Sequence, residues 1–177
     1  SGSGMTVSDA LTRAVRWVTW PVLVLVAAST VFVAVHVPQN RELSAYDEYV
    51  YLDYLDTVPT NFFVRQWQET GELARNEISC RGVLGYGTFG EACNTGTHDA
   101  DAKYPYGGRS TADIYTPLYF AVTWVVAQPL TWFGISLLDA GRLVGALWLA
   151  VGLVLLHRAM KRVGVPDTLS TGLGLLV

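Results

Sequence analysis

Charge is scarce in this 177-residue chain: 15% of its residues are Asp, Glu, Lys or Arg, where an average soluble domain carries about 25%. That deficit, beside 51% hydrophobic residues, excludes a disordered chain and argues against an ordinary soluble domain. Basic residues are too few and too scattered for a nucleic-acid-binding surface, so no nucleic acid is implied as a partner. Cysteine is nearly absent, with two residues, which excludes a disulfide-dense miniprotein. No H-E-x-x-H, G-x-S-x-G or Walker A sequence occurs, and there is no internal repeat or low-complexity tract. The net charge of −3 selects no partner by itself.

What the chain has instead is long apolar runs. Ser1–Gly4 reads as a cloning scar ahead of Met5, and residues 5–16 as a short basic lead. Trp17–Val37 has no ionisable residue before His36, and as a helix it reaches roughly 31 Å, the hydrocarbon thickness of a bilayer. It is longer than the apolar core of a signal peptide and no A-x-A site follows, so it reads as an uncleaved signal anchor. Residues 117–135 form a second uncharged run, and residues 140–156 a third, interrupted only by Arg142. Residues 169–177 turn apolar again but are too short to cross. The pattern predicts an all-α membrane protein: a helical bundle with three complete transmembrane helices (17–37, 117–135 and 140–156), a truncated fourth, and a long extracytoplasmic loop (38–113) carrying short surface helices.

Arg13 and Arg16 ahead of the first span place the N-terminus in the cytoplasm. The expected location is the plasma (inner) membrane, multi-pass, with the lipid bilayer as a partner. The 38–113 segment is then exterior. It is acidic, with twelve Asp and Glu against six Lys and Arg, and it holds Cys80 and Cys93, which an oxidising exterior would let pair. One feature conflicts. Three spans put Arg158, Lys161 and Arg162 outside, against the positive-inside rule.

Within the exterior segment, Ser44 followed by Asp47 reads as an N-cap with an acid at N3. That predicts a helix from about Ala45 to Val58, stopped by Pro59. Residues 62–76 predict a second, amphipathic helix with Phe62, Phe63 and Trp67 at the membrane surface, and residues 80–110 read as loop. Asp47 and Glu48 are the candidate catalytic residues. A carboxylate there takes a proton from a hydroxyl, or holds a divalent metal (Mg or Mn). A plain capping role competes with both. Neighbouring helix residues splay by about 100°, so the two face one acceptor only if the helix begins after them. Tyr51 and Tyr54 share the Asp47 face and are candidate lining residues. Asp113 and Tyr115, with Tyr119, gather at the outer mouth before Pro117. Gly85, Gly87 and Gly90 spell a literal G-x-G-x-x-G, but outside a βαβ unit they allow tight turns in a loop closed by Cys80–Cys93. His98, Asp99 and Asp101 read as a solvated turn rather than a metal site. Gly141, Gly145 and Gly152 permit close helix packing, and Arg142 reads as a snorkelling residue.

The order of these features resembles the N-terminal part of a GT-C-type membrane glycosyltransferase: signal anchor, Asp47-Glu48 with tyrosines, exterior loop, Thr116-Pro-Leu-Tyr before the next span, Arg142, and a basic tail. The resemblance covers roughly residues 13–177. It implies transfer of a sugar from a polyprenyl-phosphate donor to an extracytoplasmic glycan, lipid or protein acceptor of the cell envelope. Asp47 would be the catalytic aspartate, Glu48 would assist it or hold the metal, and Arg65, Arg81 or Arg109 would pair with the donor phosphate. An isolated N-terminal part would be inactive. The competing reading is a non-catalytic membrane protein whose disulfide-closed loop binds a ligand or a partner subunit.

Overall fold

The computed structural model describes residues 19–45 and 47–176. The basic lead, the scar and Trp17 lie outside the described residues. The described residues form six α-helices and no strand. These are α1 (Trp20–Gln39), α2 (Glu48–Thr57), α3 (Glu72–Arg81), α4 (Pro117–Trp132), α5 (Leu137–Arg162) and α6 (Asp167–Gly174). Three short 3-10 turns lie between α3 and α4. The chain divides into two compact units. One is Val35–Val144, and the other combines the residues up to Ala34 with those from Gly145 onward.

Among the described residues, two helices are long and apolar enough to cross a membrane: α1 with 20 residues and α5 with 26. At 1.5 Å per residue they extend about 30 Å and about 39 Å. The run expected to form the second span gives α4, which has 16 residues and extends about 24 Å, short of the hydrocarbon core. Pro117 at its first turn starts it, as a residue whose missing N–H is no loss there. Gly134, at φ +83°, ends the following turn.

The Val35–Val144 unit has its own core. Leu43, Tyr49, Leu52 and Tyr54 of the loop and α2 pack with Ile78 of α3, Phe120 of α4 and Leu138 of α5. The helix expected from Ala45 starts three residues later. Ser44 donates its backbone N–H to Glu48 Oε2 at 2.7 Å, so Glu48 rather than Asp47 reaches back over the helix start. The helix expected over 62–76 is not formed: residues 61–71 are an irregular strap and α3 begins at Glu72. The strap is held edge-on to residues 108–110, with Trp67 N–H on Ser110 O, Ser110 N–H on Gln68 O and Thr70 N–H on Gly108 O. Those cross-chain bonds take the donors a helix would use internally, and Trp67 at φ 60° cannot continue one.

Beyond α3 the loop is organised by Arg75, which is buried. Its guanidinium donates to His98 O and Gly108 O, pairs with Asp101 at 2.6 Å and lies over the Tyr104 ring. Tyr104 in turn donates to Glu91 and meets His98 Nδ1. Cys80 and Cys93 are disulfide-bonded. Gly90, at φ +82°, stands so close to Tyr104 that a Cβ would lie 2.3 Å from the ring.

In the other unit, α6 folds beside the end of α5 through Ser170 Oγ and His157 Nδ1 at 2.9 Å, with Lys161–Asp167 at 3.1 Å. The expectation of a close-packed glycine face on α5 holds only at Gly141, whose Cβ position would meet Leu55 at 2.9 Å. Gly145 and Gly152 have open space around them.

Candidate functional site

Asp47 occupies the N-cap position of α2 yet makes no side-chain capping bond. The backbone there is already turned into the helical region, at φ −64° and ψ −3°, which carries the carboxylate away from the helix N–H groups. Its Oδ2 instead accepts from Tyr115 Oη at 3.3 Å and from Tyr51 Oη at 3.4 Å. Both bonds are long, so the carboxylate keeps acceptor capacity. The two tyrosine rings meet edge to face at 4.9 Å. Burial first, then the neighbouring Tyr115 and Asp47, hold the Tyr51 hydroxyl well above the usual phenol range, so Tyr51 stays a neutral donor at any physiological pH.

Glu48 faces another way, as helix geometry requires. Both its oxygens are taken by Arg142 of α5, with Nε–Oε1 at 2.7 Å and Nη2–Oε2 at 2.8 Å. The same guanidinium donates to the Asn40 and Glu42 carbonyls just beyond α1. Arg142 is therefore a clamp on the exit from α1, the start of α2 and the start of α5. The expectation that it snorkels is corrected: its side chain is mostly buried in an ion pair. With Glu48 fully engaged, Asp47 and Glu48 make a poor pair of metal ligands. No group of three or more His, Cys, Asp or Glu among the described residues is placed to hold a metal.

A cavity of about 130 Å³ opens beside this clamp, with Glu48, Arg142 and Tyr51 at its polar end and Leu52, Leu55 and Phe120 as its apolar wall. A second hollow of about 220 Å³ shares Tyr51, Tyr119 and Phe120 and adds Tyr115 and Thr116. Asp47 lines neither hollow itself, but its two hydroxyl donors do: Tyr51 lines both and Tyr115 the second. That arrangement suits a ligand with a polar head and a hydrocarbon chain.

The other sequence candidates fall elsewhere. Tyr54 belongs to the core: it stacks on Phe120 at 4.2 Å and donates to Phe62 O. Arg81 is tied to Glu77 and, through two bonds of 2.9 Å, to Asp139. Arg109 pairs with Asp101 at 3.2 Å. Arg65 and Asp113 are exposed. The arginine lining the cavity is thus Arg142, not Arg65, Arg81 or Arg109. Arg142, Phe120 and Thr123 are among the lining residues that sequence reasoning did not assign to a site. The signal for Arg142 was present, since a lone charge in an apolar run marks a functional site more often than an accident.

Compared with protein-family models, with curated proteins and with solved structures, the chain finds no significant match.

Proposed function

We propose that the chain supplies the Asp47 module of a membrane glycosyltransferase of GT-C type, which moves a sugar from a polyprenyl phosphate to an acceptor outside the membrane. The observation that carries this reading is Asp47: a carboxylate at a helix start that does no capping, held by the hydroxyls of two tyrosines that line a neighbouring hollow. In the proposed reaction Asp47 takes the proton of an acceptor hydroxyl. The freed oxygen attacks the anomeric carbon, and the bond from that carbon to the donor phosphate breaks with its electron pair leaving on the phosphate. Tyr51 and Tyr115 orient the carboxylate, and Arg142 fixes the backbone that presents it by holding Glu48. The apolar wall of Leu52, Leu55 and Phe120 receives the lipid part of the donor. Metal assistance would need ligands besides Asp47, because Glu48 is committed to Arg142.

The test is Asp47→Asn in the full-length protein. Transfer should fall at least about 10²-fold, as for loss of a general base, with insertion and thermal stability unchanged. Near-normal turnover would reduce Asp47 to a structural residue. The binding-module reading rests on the bridged loop, where Leu84 and Tyr86 stand exposed between Cys80 and Cys93. It predicts that Tyr86→Ala, not Asp47→Asn, abolishes the protein's role.

A further inference from the structure

The sequence Ile114–Leu138 carries no charged residue, yet much of α4 within it is uncovered. Its buried side is Phe120, Thr123 and Ala127, which is i, i+3 and i+7. That stripe packs on α2, with Phe120 stacked on Tyr54. The opposite side is Leu118, Val125 and Trp132, a strict seven-residue repeat, and it stands open together with Ile114 and Phe133. Leu118 is 67% exposed, Trp132 79% and Phe133 84%. A continuous uncharged face ending in two large aromatics is too apolar to lie against water.

Both ends of this helix are tied to one level of the protein. At its start, Tyr115 touches Tyr51 and Asp47, next to the Glu48–Arg142 clamp. At its end, only residues 133–136 separate it from α5, one of the two helices able to span a bilayer. Arg142 lies in the second turn of α5, and its clamp holds the carbonyls just beyond the end of α1, the other such helix. The start of a spanning helix that opens with Asp139 and Arg142 lies at the membrane interface. Residues 133–136 and Tyr115 therefore sit at the same interface, and a helix joining two points of one interface does not cross.

We propose that α4 lies in the plane of the membrane surface with its Leu118–Val125–Trp132 face in the lipid, and that α1 and α5 alone cross. The occupant of the exposed face is the bilayer, on the ground of continuity with the start of α5. The charge pattern supports the same arrangement. With two crossings, Arg158, Lys161 and Arg162 at the end of α5 return to the side of Arg13 and Arg16, and the conflict with the positive-inside rule disappears. The proposal rests on the membrane reading of α1 and α5 and not on the chemistry of Asp47.

The test uses the full chain in sealed membranes. The native cysteines are bridged and leave no background for single cysteines at Thr116, Ser136, His98 and Gly164. With a membrane-impermeant maleimide, positions 116, 136 and 98 should label from one side, and position 164 only after permeabilisation. Labelling of 136 only after permeabilisation, with 98, 116 and 164 labelled from outside, would make α4 a span and overturn the proposal. Labelling of 136 and 164 from one and the same side would instead overturn the crossing of α5, and so the membrane reading itself. Spin labels at Leu118 and Val125 read the face directly. They should relax with oxygen and resist a water-soluble nickel chelate by at least several-fold. Collision with the nickel chelate, or protection from both reagents, would put water or protein on that face and overturn the lipid assignment.

Discussion

At Asp53 the fold keeps a carboxylate at 1% exposure with one oxygen on the Gly71 N–H and the other without a hydrogen-bond partner among the described residues. Burial pushes its pKa up to about 6, against the opposing pull of the Gly71 N–H. An unfolded aspartate titrates near 3.9. The native state therefore holds the proton more tightly, and the contribution of Asp53 is full below about pH 4 and lost as pH rises through about 6. The gap corresponds to about 3 kcal/mol. Asp53→Asn should remove this slope, so that the thermal midpoint in detergent, compared with the parent, differs most at pH 7.5 and converges below about pH 4. A parallel pH profile for the two proteins would mean that Asp53 is solvated in practice. Arg142 sets the opposite case, an ion pair whose loss strands its partners. Arg142→Met leaves the Glu48 carboxylate with only the Ser44 N–H, and it frees the Asn40 and Glu42 carbonyls. The expected loss is about 3–5 kcal/mol in denaturant-melting experiments, partly recovered by adding Glu48→Gln. A snorkelling arginine would cost under about 1 kcal/mol.

Among the elements, those whose boundaries are set by one residue were readable from the sequence, and those set by distant partners were not. Pro59 and Pro117 mark the end of α2 and the start of α4 because proline chemistry is local. The long apolar runs gave α1 and α5 because a helix with no polar face has few alternatives. The strap at 61–71 was unreadable because its hydrogen bonds run to residues 108–110, roughly forty positions away in the chain. In the site, Asp47, Tyr51 and Tyr115 were named from spacing, but the partner of Glu48 lies on a different helix, and no local pattern announces an ion pair of that range. The bridge between Cys80, in the last turn of α3, and Cys93 closes the glycine-rich loop. Replacing both by Ala should cost about 3 kcal/mol. Amide exchange should rise across 82–95, where Gly82, Gly85, Gly87 and Gly90 all hold positive φ and so release much entropy once untied. Unchanged exchange there would show that the Arg75 network alone fixes the loop.

For the molecule as a whole, the division of the chain follows its polarity. The Val35–Val144 unit holds the disulfide, the buried Arg75 network and the Asp47 site. The other unit gathers most of α1, most of α5 and the short α6. Basic residues cluster at the far end of α5 as Arg158, Lys161 and Arg162, and their side of the membrane separates two whole-molecule arrangements. If α1 and α5 alone cross, these three charges act with Arg13 and Arg16 to hold both ends on one side. If α4 also crosses, they lie on the opposite side and work against the first helix. Replacing all three by Gln therefore starts from different values and has different consequences. With two crossings, the change removes part of the orienting bias, and the fraction of molecules whose position 164 labels from outside should rise from near zero. With three crossings, the change relieves a conflict, and outside labelling of 164 should start high and stay high or increase. The starting value and the direction of change are both read in one experiment. A high starting value that the Gln replacements leave in place would exclude the arrangement in which α4 lies on the membrane surface.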